Sequence, residues 1–257
     1  MFHLGESRVL NKIKNGQTAF AFKINLNDPR VAEIASMSGA DCVWLDMEHV
    51  PSDFVQLENM IRACKLYGVD TLVRVSKGSY SDFVRPLEAD ATGIMVPHLM
   101  SLEEAKKIVY YTKFQPIGRR PLDGGNADGK FCLVDTEVYV KEANERRFTV
   151  IQIEDPEPLD ELEEICALPG IDMIFFGPGD FSHAIGKVHD MDNERTLEVR
   201  KLVGKTARKY GKMAGTVGGV SDVKQLQEEG YNFISLGADV VALIQYFSSI
   251  IKEVKDK

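Results

Sequence analysis

The sequence predicts an α/β chain folded as a (β/α)8 barrel. Short apolar, β-branched runs alternate with amphipathic charged stretches from end to end, the pattern of a parallel sheet with crossover helices. There are eight such runs. The chain has 257 residues, close to the roughly 250 that such barrels use. An open doubly wound sheet is the alternative arrangement of the same units. No linker, low-complexity tract or short repeat interrupts the alternation, so one domain over 1–257 is expected.

The strands are expected, in order, at Thr18–Ile24, Cys42–Asp46, Thr71–Val75, Gly93–Val96, Thr149–Glu154, Met173–Phe176, Met213–Thr216 and Phe233–Leu236. Each is a short run rich in Val, Ile, Phe or Thr, bounded by polar residues or glycine. Helical patterns fill the gaps, among them Asp53–Lys65, Ser101–Thr112, Leu159–Ala167 and Arg195–Tyr210. Ser52-Asp53 provides a helix cap, and Ser101 followed by Glu104 has capping-box spacing. One segment breaks the rhythm. Gln115–Phe131 holds four glycines, two prolines and the Arg119-Arg120 pair. A structureless stretch of this length reads either as a flexible surface loop or as an active-site or subunit-contact loop.

Composition excludes several classes. The chain is 44% hydrophobic and 27% charged, enough for a sizeable core and unlike a membrane or disordered chain. Its 31 Lys plus Arg against 39 Asp plus Glu leave a net charge of −8, which argues against a general nucleic-acid binder. No apolar run approaches the roughly 18 to 20 residues of a membrane span. The first residues become charged too early for a secretory signal. Cys42, Cys64, Cys132 and Cys166 are too dispersed for a zinc motif. Reduced thiols in a cytoplasmic setting are the expectation.

Barrel active sites lie at the C-terminal ends of the strands, and polar residues collect there. The second strand runs into Asp46-Met47-Glu48-His49, the third carries Arg74, and the fourth runs into Pro97-His98. The fifth ends in Gln152-Ile153-Glu154-Asp155 and the sixth in Gly177-Pro178-Gly179-Asp180. Two carboxylates, Glu154 and Asp180, without a Cys or His cluster suit a hard divalent cation. Mg2+ or Mn2+ fits this set, with Co2+ as an alternative, better than structural zinc. Asp180 also reads as a cap of the following helix. Gln152 and Glu154, two apart, share one side of their strand, and polar groups inside a barrel are costly unless they bind something. His49 is the natural proton carrier, or else a solvated loop histidine; His98 is a weaker candidate. Arg74 needs an anionic partner, either a substrate oxyanion or Glu88 or Asp46. Lys23 is the one residue placed for a Schiff base, though a salt-bridged lysine fits better. The Gly215–Gly219 run reads as a tight turn or, less readily, as a phosphate cradle.

These residues resemble a known family. DMEHVPSD (46–53), GIMVPHLMSLEEA (93–105), the run 150–186 with its QIE and GPGDFS, and FISLGAD (233–239) are similar to the HpcH/HpaI aldolases, metal-dependent class II pyruvate aldolases. The resemblance covers nearly the whole chain. It implies a barrel of the phosphoenolpyruvate/pyruvate type, a last helix exchanged between subunits, and a homo-oligomer, in the family a hexamer. It implies that Glu154 and Asp180 hold the metal and that Gln152 contacts the pyruvate moiety. It further implies that Arg74 stabilises the enolate, that His49 moves a proton, and that the backbone around Gly179 and Asp180 receives the carboxylate. The histidine's usual Asp partner is replaced by Glu88, and Pro121 follows the loop arginine, Arg120, where glycine is usual. Arg120 is expected among the substrate contacts, and the loop departures bear on the aldehyde half.

The expected reaction is reversible cleavage of a 4-hydroxy-2-oxo acid to pyruvate, or a related 2-oxo acid, and an aldehyde. The partners are therefore small molecules, with no nucleic acid and no membrane; the family's setting is aromatic compound catabolism. The competing readings are another enolate lyase, such as a 2-oxo acid decarboxylase or a citrate-lyase-like acyl-CoA lyase, and a non-catalytic metabolite-binding barrel.

Overall fold

The computed structural model describes residues 2–256. Its elements run α1 (Arg8–Lys14), β1 (Ala19–Ile24), α2 (Pro29–Met37), β2 (Cys42–Asp46), α3 (Phe54–Lys65), β3 (Asp70–Arg74), α4 (Tyr80–Glu88), β4 (Gly93–Val96), α5 (Leu102–Thr112) and α6 (Thr136–Arg146). They continue with β5 (Phe148–Ile153), α7 (Leu162–Ala167), β6 (Met173–Phe176), α8 (Pro178–Ala184), α9 (Glu194–Lys209), β7 (Met213–Val217), α10 (Val223–Glu228), β8 (Phe233–Ala238) and α11 (Asp239–Lys255). The strands close as β1-β2-β3-β4-β5-β6-β7-β8, all neighbours parallel, which excludes the open sheet.

All eight expected strands form, within one or two residues at each end. Asp53 and Ser101 cap α3 and α5 from outside, their side chains accepting from the N–H of Gln56 and Glu104. The stretch expected as one helix from Leu159 to Ala167 begins instead as a 3-10 turn over Glu157–Glu161. Helix α3 shows why such segments are helical: Leu57, Met60, Ile61 and Cys64 fall on one buried stripe.

Strand register holds one parity around the barrel. Lys23 pairs with Trp44, Trp44 with Leu72, and Met95 with Val150, so alternate residues share the interior. The interior is apolar for most of its depth, with Trp44, Leu72, Met95, Phe148, Val150, Met173, Phe175 and Phe233 buried together. Gly93 belongs to this packing: a Cβ there would lie 2.2 Å from the Phe148 ring. Toward the C-terminal ends the same inward parity turns polar, with Lys23, Asp46, Arg74 and Gln152. Residues of opposite parity, such as Val43, Val73, Ile94, Ile151 and Ile174, pack against the helices.

The other end is closed by α1 and a charged belt. Val9 enters the interior, and Asp70 accepts from the Ser7 hydroxyl at 2.6 Å and the Val9 N–H at 2.8 Å. Asp90 pairs with Lys65, Lys130 and Arg147 just before β4. The loop between α5 and α6 packs here as well. The Arg120 guanidinium meets Asp128 at 2.7 Å, the Tyr139 hydroxyl donates to Asp128 at 2.6 Å, and the Asp128 N–H donates to the Glu88 carbonyl. Arg120 lies over the Phe114 ring, 4.8 Å from its centroid, and its side chain is 2% exposed. No helix among the described residues is long and apolar enough to cross a membrane. The four cysteines are free thiols, and Cys132 alone of them is exposed.

Candidate active site

The polar layer at the strand ends is organised around Asp46. Its carboxylate accepts two bonds from Arg74, from Nε at 3.0 Å and from the terminal nitrogen at 2.6 Å, and Lys23 Nζ lies 2.8 Å away. The N–H of Glu48 donates to it at 3.0 Å. Burial alone would raise the Asp46 pKa, but Arg74 and Lys23 together outweigh it and hold the carboxyl well below the usual range. Arg74 therefore has Asp46 as its partner, not Glu88, and Lys23 is an ion-paired lysine rather than a free amine.

A second group forms where β4, β5 and β6 end. Glu154 stands one residue beyond β5 and is fully buried. One of its oxygens accepts from the His98 N–H at 2.9 Å, and the other accepts from the Gln152 amide. Burial is the main reason its pKa is pushed up to about 7, and the charge of nearby Asp180 adds to the effect. Asp180 is exposed in the first turn of α8, where Gly177 is the N-cap and no side chain caps the helix. The capping role is therefore not what Asp180 does. The side-chain amide oxygen of Gln152 is buried without a partner. Glu48 lies 3.1 Å from Arg74, but the buried oxygen that makes this ion pair has no aligned hydrogen-bond donor. Gly177 is required by this crowding: a Cβ would sit 2.6 Å from a Glu154 carboxylate oxygen and 2.8 Å from the Gln152 amide nitrogen.

Among the described residues no three His, Cys, Asp or Glu side chains form a ready cage. Two carboxylates are nevertheless what Mg2+-like cations use when waters and substrate oxygens complete the shell. Burial and the Asp180 carboxylate outweigh the nearby charges of His98 and Arg74 at Glu154, so an added cation would relieve the pair and the donor set fits it.

The structure separates some residues that sequence reasoning had grouped. His49 lies at the rim, its side chain 58% exposed and 3.5 Å from Glu48. Glu88 ends α4, and a helix that follows a barrel strand runs back to the end where strands begin. His49 and Glu88 therefore lie at opposite ends of one chain and share no hydrogen bond or ion pair. Arg120 lies toward the far end as well, paired with Asp128 at 2.7 Å, so within one chain it does not join the strand-end residues. The Gly215–Gly219 run is no free cradle, because the Gly218 N–H donates to Ser235 and the Gly219 N–H to Asp222.

Sequence reasoning ranks His98 below His49, and the structure sets it among three carboxylates. It adopts φ 49°, and its ring Nδ1 is 2.8 Å from Asp155 and 3.7 Å from Glu154. Burial works against its charged form, yet the carboxylates of Asp155, Glu154 and Glu48 prevail and raise its pKa. The Pro97-His98 step directly after β4 was the available signal.

The inward-facing polar residues of the barrel gather at the C-terminal ends of the strands, where enzymes of the barrel class hold their active sites. The chain matches the HpcH/HpaI aldolase/citrate lyase model over residues 20–245, and it belongs to that family. It is 29% identical over 255 residues to a hydroxypyruvate/pyruvate aldolase of Paraburkholderia phytofirmans, covering 95% of this chain and 96% of that one. An HpcH/HpaI aldolase from Desulfitobacterium hafniense has a TM-score of 0.91 at 26% identity, covering 96% of both chains. The citrate synthase SbnG has a TM-score of 0.87 at 26% identity, also covering 96% of both.

Proposed function

We propose that the chain is a divalent-cation-dependent aldolase that reversibly cleaves a 4-hydroxy-2-oxo acid to pyruvate, or a related 2-oxo acid, and an aldehyde. The observation that carries this reading is Glu154, a buried carboxylate with a raised pKa beside the unpartnered Asp180 and within the field of Arg74. Glu154 and Asp180 are the residues that would hold the cation, Mg2+ or Mn2+ being the best match. When bound, such a cation supplies Lewis-acid polarisation of the oxo acid. Arg74, held rigid by Asp46, places positive charge where the 2-oxo oxygen becomes an enolate oxygen. Gln152 donates its remaining amide N–H to orient the acid, and the first-turn N–H groups of Gly179 and Asp180 receive its carboxylate. His49 takes the proton from the C4 hydroxyl. The C4–O bond becomes a carbonyl, the C3–C4 bond breaks, and its electron pair passes into the enolate of the departing 2-oxo acid. His49 then delivers the proton it took to C3 of the enolate, which balances the cleavage and completes turnover.

Glu88 can approach a His49 only from another chain, and α11 supplies a reason for assembly. None of its 17 residues is buried, and Val241, Ile244, Phe247, Ile251 and Val254 are exposed. Such a face is covered by association. We read it as exchanged with a second copy in a homo-oligomer.

The test is exchange of the pyruvate methyl protons in D2O, followed by NMR with Mg2+ or Mn2+ and again with EDTA. The wild type should exchange only with metal, and Glu154→Gln should not exchange; full activity in that variant would sink the assignment. The likeness to a citrate synthase favours one second reading, an enolate reaction on an acyl-CoA or citrate-type substrate. A CoA-dependent rate without any aldehyde would select it.

A further inference from the structure

Trp44 is the chain's one tryptophan. It points into the barrel from β2, one inward position below Asp46, and is 4% exposed. Its indole N–H is buried without an acceptor. Its ring lies against the polar layer: Arg74 is 5.0 Å and Lys23 Nζ 5.4 Å from the centroid. Below, Phe175 packs at 5.4 Å with a 72° interplanar angle. A buried donor left unpaired costs free energy unless something takes its proton. Gln152, which points into the same barrel from β5, leaves its buried side-chain carbonyl oxygen unpaired as well. The polar layer thus holds a donor and an acceptor that no protein group satisfies.

We propose that Trp44 is a substrate-positioning residue. Its ring floors the site under Arg74 and Lys23, and its N–H donates to an oxygen of the bound 2-oxo acid. This rests on the aldolase reading for the identity of the ligand. It adds a residue to the specificity of the site, since a floor of this size limits the group that the C3 carbon can carry.

A lone tryptophan gives one indole 15N–1H resonance, so the wild-type protein reports on itself. Pyruvate with Mg2+ should move that resonance downfield in a saturable way. Trp44→Phe keeps an aromatic floor and removes the donor. It should raise KM for pyruvate exchange on the order of tenfold, with a smaller effect on kcat. An indole resonance unmoved by saturating pyruvate, in a protein that exchanges pyruvate protons, would overturn the proposal and leave the aldolase reading standing. That result would mean the N–H simply faces the Phe175 ring. Absence of both exchange and shift in the wild type would overturn both. Should Trp44→Phe fail to fold, the wild-type resonance decides.

Discussion

Replacing Asp46 with asparagine keeps the shape of the side chain and removes its charge. Arg74 and Lys23 then lose their shared anion. The Asp46 side chain is fully buried, that of Arg74 5% exposed and that of Lys23 20% exposed. Removing one partner of a buried pair typically costs about 3 to 5 kcal/mol. Arg74 keeps Glu48 at 3.1 Å. Lys23 reaches solvent, and asparagine still accepts a hydrogen bond, so the lower end applies, about 3 kcal/mol. For a chain of this size that is a fall in Tm of roughly 6 to 12 °C. Lys23→Met leaves the two-pronged Arg74 pair in place and should cost only about 1 kcal/mol. The assay is thermal unfolding at pH 7 and one protomer concentration, because an oligomer's Tm depends on concentration. The pH dependence has a definite sign. The folded pKa of Asp46 lies below its ordinary 3.8, so its contribution is complete above that value and is lost as pH falls through the folded pKa. The deficit of Asp46→Asn relative to wild type should be constant above about pH 5 and narrow below it. A variant within 1 kcal/mol of wild type at pH 7, or a deficit that widens in acid, would refute the view that Asp46 anchors the two cations.

Two further predictions follow from the geometry. Gly177 has φ −100° and ψ 87°, which alanine tolerates, yet its methyl would press on Glu154 and Gln152. Gly177→Ala should still fold, with a Tm lowered by several degrees from overpacking of about 1 to 3 kcal/mol, and lose about 10- to 100-fold in pyruvate exchange rate; an unaltered rate would remove these two side chains from the reaction. Deleting residues 240–257 removes the bare apolar helix, and light scattering after gel filtration should show a smaller assembly than wild type. A wild-type chain that is already monomeric would contradict the exchange of α11.

The barrel was legible in the sequence because its signals are local. Alternation of β-branched runs with amphipathic stretches follows from what each segment must bury, and Asp53 and Ser101 cap their helices through bonds made within three residues. The strand-end residues were legible for the same reason: once the strands are placed, parity puts Gln152 inward and chain order puts Glu154 at the rim. Which groups meet was decided by tertiary structure. Asp46 binds both Arg74 and Lys23 because parallel register sets β1, β2 and β3 side by side, a relation between residues up to 51 positions apart that spacing does not encode. His98 faces Asp155 only because β4 and β5 are neighbours in the closed sheet. Glu88 and Arg120, grouped with the site by motif, fall at the far end of their own chain because every crossover helix returns the chain to where strands begin. Sequence determined the residue types at each strand end; closure of the barrel determined which of them share an environment of low dielectric, and so which carry a perturbed charge.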